Sequence, residues 1–197
     1  FGLRVQKRNI DITDDQKVKK FIEQLVSQFG GIDILVSNAG MAFQSPILEM
    51  EMSDLRRSFE INFFSHFRLA KLIGQLFVEQ GNKGQMLFNI SKQAVNPGRN
   101  FGAYGLPKST LMFLVKQLAL ELGGYGIRVN GINADRVRSG MLSDSFITER
   151  ASARGLSVEQ YMNGNLLNKE VETYHVAKAL IDLSLSERTT GHVISVD

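Results

Sequence analysis

The 197-residue sequence contains no cysteine. That excludes disulfides, a thiol nucleophile and any cysteine-ligated zinc. The absence of thiols fits a reducing compartment, and a cytoplasmic location is expected. No apolar run approaches the ~20 residues that span a bilayer, and no signal-peptide pattern opens the chain, so no membrane association is expected. Basic clusters are also lacking. The 23 Lys and Arg against 20 Asp and Glu leave a net charge of +3, yet no basic run is longer than Lys19-Lys20 or Arg56-Arg57. Without a basic stripe interleaved with aromatics, nucleic acid is not an expected partner. His66, His175 and His192 fall in separate stretches with no carboxylate at metal-site spacing, so no metal is expected and packing or surface roles are the simpler reading.

What is present supports a folded domain. Apolar residues make up 43% and charged residues 22%, enough to bury a core, and the length suits one domain. The chain opens on Phe1 rather than methionine and stops at Asp197 directly after an apolar segment. It therefore reads as a piece of a longer protein.

Strand-like and helix-like patterns alternate. Leu3 to Ile12 reads as a strand running into Asp-Ile-Thr-Asp, a helix N-cap region. Val18, Phe21, Ile22, Leu25, Val26 and Phe29 follow at helical spacing and stop at Gly30-Gly31. Ile32 to Val36 is an almost continuous apolar run, the pattern of a strand covered on both faces. Ser53 is placed to cap a long helix through Leu55, Phe59, Phe63, Phe67, Leu69 and Leu72. Met86–Ile90 and Ile127–Ile132 read as buried strands, with an apolar helix over Tyr104–Leu122 between them, closed by Gly123-Gly124. Short helices are expected within 142–168, a helix over Val171–Leu185 and a last strand over His192–Val196. This alternation implies an α/β, doubly wound parallel sheet, in which ligands sit beyond the carboxyl ends of the strands.

The candidate functional residues do follow strands. In Tyr104-Gly-Leu-Pro-Lys108, positions i and i+4 share a helix face. A lysine ammonium beside a phenol favours the phenolate and is expected to lower the tyrosine pKa, making Tyr104 a general acid or base. Pro107 is read as lying in the first helical turn, where its missing N–H costs nothing. Ser91 follows the strand Met86–Ile90 and can donate to a substrate oxygen, or merely cap its loop. Asn38-Ala39-Gly40 follows Ile32–Val36, and its small side chains let a flat ligand approach the backbone, or form an ordinary turn. Asn62 interrupts an apolar helical stretch, which fits a kink holding an internal water or an exposed polar face.

In order, spacing and strand-end placement, the set Asp11-Ile12, Asn38-Ala39-Gly40, Asn62, Ser91, Tyr104 and Lys108 resembles the short-chain dehydrogenase/reductase superfamily, including the 13 residues from Ser91 to Tyr104. The resemblance runs from that family's third strand to its seventh. It implies a Rossmann-type domain and hydride transfer between NAD or NADP and a small-molecule alcohol or carbonyl. In that reading Tyr104 exchanges the proton and Ser91 polarises the substrate oxygen. Lys108 lowers the tyrosine pKa and holds the nicotinamide ribose, and Asn62 bends its helix and anchors a relay water. Asp11 and Ile12 flank the adenine, while Asn38, Ala39, Gly40, Val137 and Ser139 line the cofactor. The helices over 53–80 and 104–122 resemble the pair that assembles subunits in this family, which implies a homodimer or homotetramer.

Two departures stand out. Where the family usually has Pro-Gly, this chain has Ala134-Asp135, followed by Arg136-Val137-Arg138-Ser139. Asp135 can alter the pocket or bind a polar substrate, or simply pair with Arg136 or Arg138. Those two arginines can grip an anionic substrate or face water. This arrangement, with Asn165-Leu166-Leu167 after it, resembles the dehydrogenase half of proteins that fuse an aldolase domain to a short-chain dehydrogenase, which implies a sugar-like or polyol substrate. The second departure is the glycine-rich phosphate-binding turn of the first strand–helix unit, which this sequence does not contain. The domain is therefore expected to lack its first strand–helix–strand portion, and weak or no dinucleotide affinity is expected of this stretch alone. NAD and NADP remain undistinguished, and a catalytically silent binding scaffold is the alternative to an enzyme.

Overall fold

The computed structural model describes residues 5–197. Four strands, β1 (Ile34–Ser37), β2 (Gln85–Asn89), β3 (Arg128–Ala134) and β4 (Val193–Val196), form one parallel sheet in the order β1-β2-β3-β4. Parallel neighbours need crossovers. These are supplied by α2 (Met52–Phe59) with α3 (Ser65–Gln80), by α4 (Gly102–Leu122) and by α7 (Thr173–Leu185), while α1 (Asp15–Phe29) precedes β1. Between β3 and α7 stand the short helices α5 (Asp144–Ser152) and α6 (Val158–Met162).

The β2 and β3 side chains divide strictly by parity, as the period of two demands. Met86, Phe88 and Val129 face α3 and α4, where Phe77, Leu111 and Val115 complete a fully enclosed core. Leu87 and Ile132 point the other way, against Leu183, Val176 and Leu180 of α7. Each fully buried side chain of this size contributes roughly 1.5–3 kcal/mol, so β2 and β3 anchor a helical layer on each face of the sheet. A separate small core of Ile147, Ala151, Tyr161 and Met162 joins α5 to α6.

Several expectations are corrected. Residues 5–12 form no strand, and Leu3 lies outside the described residues. A strand is made by its ladder, and among the described residues no strand pairs with this segment. The Ile32–Val36 run is covered on one face only: Leu35 packs into the core, whereas Ile34 and Val36 are about half exposed on the open edge of the sheet. Ser53 does not cap its helix, which starts one residue earlier behind Glu51. The apolar helix starts at Gly102 rather than Tyr104, which moves Pro107 past the first turn. There the missing N–H leaves the Ala103 carbonyl without its helical donor, and the Ser58 hydroxyl of α2 supplies one at 2.6 Å. The helix does end at Leu122 with Gly123 as its C-cap, as expected, and a tight turn over Gly123–Tyr125 leads to Gly126, whose φ of 74° makes the reversal.

Candidate active site

The carboxyl ends of β1, β2 and β3 open on a cleft of about 920 Å³. One wall is the loop after β1. Its position is set by Asn62, which sits in a π-helical turn, Glu60–Phe64, between α2 and α3. The extra residue in that turn breaks the 3.6-residue phase and rotates Asn62 into the interior, fully buried. Its Oδ1 accepts from the Met41 N–H (3.1 Å) and its Nδ2 donates to the Met41 carbonyl (2.9 Å) and to Ser58 Oγ (3.0 Å). The amide therefore clamps the loop as a backbone partner would. Gly40 is packed so closely behind it that a Cβ would meet Asn62 Oδ1 at 3.1 Å and Lys108 Nζ at 3.6 Å. Asn38 ties the ends of β1 and β2 together, accepting from Asn89 Nδ2 at 2.7 Å.

His66, one turn beyond Asn62 and read above as ordinary packing, supports the same wall. It is buried on α3, with Nε2 2.9 Å from the Ala39 carbonyl and Nδ1 2.6 Å from Ser37 Oγ. A carbonyl only accepts, so Nε2 carries the proton and Nδ1 accepts from the serine hydroxyl. Burial, with the nearby Lys108 cation, lowers the imidazole pKa from 6.5 to about 4. The folded chain thus binds fewer protons than the unfolded chain between those values. Stability from this group is complete above pH 6.5 and drains away as pH falls toward 4. Chemical denaturation of wild type and His66→Gln at pH 7 and 4.5 is expected to show a pH-dependent loss smaller in the variant by roughly 2–3 kcal/mol; equal losses would remove the assignment.

The opposite wall carries Ser91, Tyr104 and Lys108. Ser91 stands just past β2, where its Oγ accepts from the Gln93 N–H at 3.1 Å. It caps its loop as the simpler reading held, and it also reaches the Tyr104 phenol. Tyr104 and Lys108 lie one turn apart on α4, with Nζ 5.7 Å from the centre of the tyrosine ring and 3.4 Å from the Asn89 carbonyl. The expected lowering of the Tyr104 pKa is not found. Burial raises it, and only the Ser91 hydrogen bond pulls it back. Lys108 is itself driven down to about 8 by burial. Both groups sit in a medium that disfavours either charge, and desolvation outweighs the benefit one would give the other.

Asn38, Ala39, Gly40, Val137 and Ser139 line this cleft with the three residues above. Asp11 and Ile12 do not. Asp11 instead accepts from Thr13 N–H and Oγ1 at 2.9 and 2.8 Å at the start of α1. Asp135 lines the cleft but is paired, 3.2 Å from Arg136 Nη2. The arginines singled out in the sequence are occupied too. Arg136 holds the Tyr161 and Gly164 carbonyls, and Arg138 pairs with Asp144 and Glu170. Two others that sequence reading passed over, Arg150 and Arg154, reach the cleft from α5 and the turn after it. No local pattern marks them, because α5 meets the cleft through tertiary packing, against α6 and through Phe146 on Phe101.

A family model described as Enoyl-(Acyl carrier protein) reductase matches residues 2–197. An uncharacterized oxidoreductase of Bacillus subtilis (strain 168), YuxG, is 32% identical over 202 residues, covering 98% of this chain and 29% of its own length. The 7alpha-hydroxysteroid dehydrogenase of Escherichia coli (strain K12) is 38% identical over 122 residues, 62% of this chain and 47% of that protein. The chain thus spans less than a third of the first relative, and its aligned part is about half of the second. Among solved structures, ElxO with NADP bound has a TM-score of 0.85 at 22% identity, covering 96% of this chain and 75% of that one, which shows a shared fold. With the match extending over residues 2–197 and the parallel sheet superposing on that structure, the chain belongs to the short-chain dehydrogenase/reductase superfamily.

Proposed function

We propose that this chain carries the catalytic part of an NAD(P)-dependent oxidoreductase that interconverts an alcohol and a carbonyl. The carrying observation is the convergence of Ser91, Tyr104 and Lys108 on one cleft at the carboxyl ends of the strands. The dehydrogenase named among its relatives and the NADP-bound ElxO structure support the same chemistry.

The residues fit a nicotinamide dinucleotide. Gly40 leaves a bare backbone wall facing Lys108, whose buried ammonium has donors to spare beyond its one contact with the Asn89 carbonyl. Lys108 would hold ribose hydroxyls, while Asn38, Ala39, Gly40, Val137 and Ser139 would line the ring and its ribose. When bound, the dinucleotide gives or takes the hydride. Ser91 then donates to the substrate oxygen and orients it. Tyr104, whose raised pKa keeps it protonated at neutral pH, gives its proton to that oxygen during carbonyl reduction and recovers it in the reverse direction. Asn62 fixes the loop behind Lys108, and the free lone pair of its Oδ1 suits a relay water.

The amides of Gln93 and Asn96 and the hydroxyl of Thr173 on the cleft wall suit a hydroxyl-rich substrate such as a sugar or polyol. Exposed Phe67 on α3 and Phe113 and Leu120 on α4 suit a subunit interface of a homodimer or homotetramer. The test is a cofactor-coupled absorbance screen of polyols, sugars and hydroxy acids with NAD and NADP, run on the intact protein that carries this chain. Turnover is expected with one of them, and its absence throughout would favour the catalytically silent scaffold.

A further inference from the structure

Arg150 projects from α5 into the cleft, yet it is only 6% exposed. Its guanidinium lies over the Phe101 ring at 4.5 Å, and Phe101 in turn meets the Tyr104 ring at 6.3 Å. Stacking uses the face of the guanidinium. The five N–H donors lie in its plane, and among the described residues none of them makes a hydrogen bond within the chain. Nε is enclosed without a hydrogen-bond partner, and among the described residues no carboxylate forms an ion pair with Arg150. An unpaired buried cation is costly, and such groups are ordinarily paired.

The charges around it point the same way. The cleft is lined by Lys92, Lys108, Arg136, Arg150 and Arg154 against one carboxylate, Asp135. Asp135 is already engaged by Arg136 at 3.2 Å and approached by Lys92 at 3.9 Å, and Lys92 is held more closely by Asp197 at 2.6 Å. Arg154, over the Tyr161 ring at 5.1 Å with Arg136 over the same ring at 4.8 Å, adds positive potential, and among the described residues no carboxylate forms an ion pair with it. We infer that the substrate carries an anionic oxygen group, a carboxylate or a phosphate monoester, and that Arg150 receives it while the reacting carbon lies at Tyr104 and Ser91. A planar donor fork matches the two oxygens of such a group. One cation-to-ring step of 4.5 Å and one ring-to-ring step of 6.3 Å link Arg150 to Tyr104, close enough for one small molecule to reach both. This inference rests on the oxidoreductase reading, which fixes where the reacting carbon lies.

The test compares substrates differing only in charge, hydroxy acids against their amides and sugar phosphates against free sugars, using wild type, Arg150→Met and Arg150→Lys. In one pair the wild type is expected to favour the anionic member at least tenfold in kcat/KM, and the productive pair identifies carboxylate or phosphate. Arg150→Met should raise KM for that member about 10- to 100-fold, the loss of a charge-assisted pair. Arg150→Lys should recover part of it, and KM for the dinucleotide should stay unchanged. Equal losses on charged and neutral members, or a raised dinucleotide KM instead, would overturn the inference. A second readout needs no turnover: at matched ionic strength, inorganic phosphate or malonate should raise the Tm of wild type but not of Arg150→Met. Equal shifts would overturn the anion site. A wild-type-specific shift without any turnover would uphold it and count against the oxidoreductase reading alone.

Discussion

Tyr104→Phe is expected to lower kcat by about 10²- to 10⁴-fold, the usual contribution of a positioned acid–base group, while leaving the Tm essentially unchanged. The substitution removes one oxygen. The ring keeps its edge-on contact with Phe101 at 6.3 Å, and Ser91 keeps its acceptor role toward the Gln93 N–H. Because burial already holds Tyr104 in its neutral form, its loss removes no charge from the folded state, so stability has little reason to move. The KM for the dinucleotide is expected to change little, since the phenol acts on the reacting oxygen. Steady-state kinetics beside thermal denaturation check both halves. Retention of more than about a tenth of the wild-type kcat would leave Tyr104 without the role proposed for it.

Lys108→Met should separate activity from stability in opposite directions. Lys108 is 2% exposed, and among the described residues no carboxylate pairs with it. Burial lowers its pKa from 10.5 to about 8, so at pH 7 the folded protein holds a cation that the unfolded chain would carry more cheaply. Methionine fills similar space without that charge, and unfolding free energy is expected to rise by roughly 2–3 kcal/mol at pH 7. The sign with pH follows. Between 8 and 10.5 the unfolded chain binds the extra proton, so wild-type stability climbs toward that of the variant as pH rises. Turnover should meanwhile fall by two orders of magnitude or more, because the cation that faces both Tyr104 and the Gly40 wall is gone. A Lys108→Met protein less stable than wild type at pH 7, measured by denaturant titration, would show that the lysine holds the fold rather than the site.

Both expectations could be written only because the local patterns were readable. The i, i+4 spacing of Tyr104 and Lys108 places them on one helix face whatever surrounds the helix, and Ser91 and Asn38 follow short apolar runs whose length and flanking turn residues mark strands. Asn62 was legible as a misfit in an apolar helix, and the π-helical turn is how the chain accommodates it. The strand expected over Leu3–Ile12 was not secure for the opposite reason. Alternating side chains describe a strand's faces, but its ladder belongs to a neighbour far away in sequence.

Charge and protonation were the least legible. Spacing alone had the Lys108 ammonium acidify Tyr104, and packing reversed the sign by burying both groups. His66 looked like one more packed histidine until the fold carried the Ala39 carbonyl to its Nε2. The sequence left Arg136 and Arg138 to grip an anion or face water; the tertiary structure gives them carbonyls and carboxylates instead and leaves Arg150 without either.

The division follows from the physics of each signal. Residue order and periodicity determined the α/β architecture, the family resemblance and the placement of the Ser91, Tyr104 and Lys108 side chains, because those depend on contacts within a strand or a few turns of helix. Which cations are paired, which carbonyls lack a donor and which groups hold their protons were decided by tertiary structure. Those quantities depend on burial and on partners dozens of residues away, and only the folded chain brings the two together.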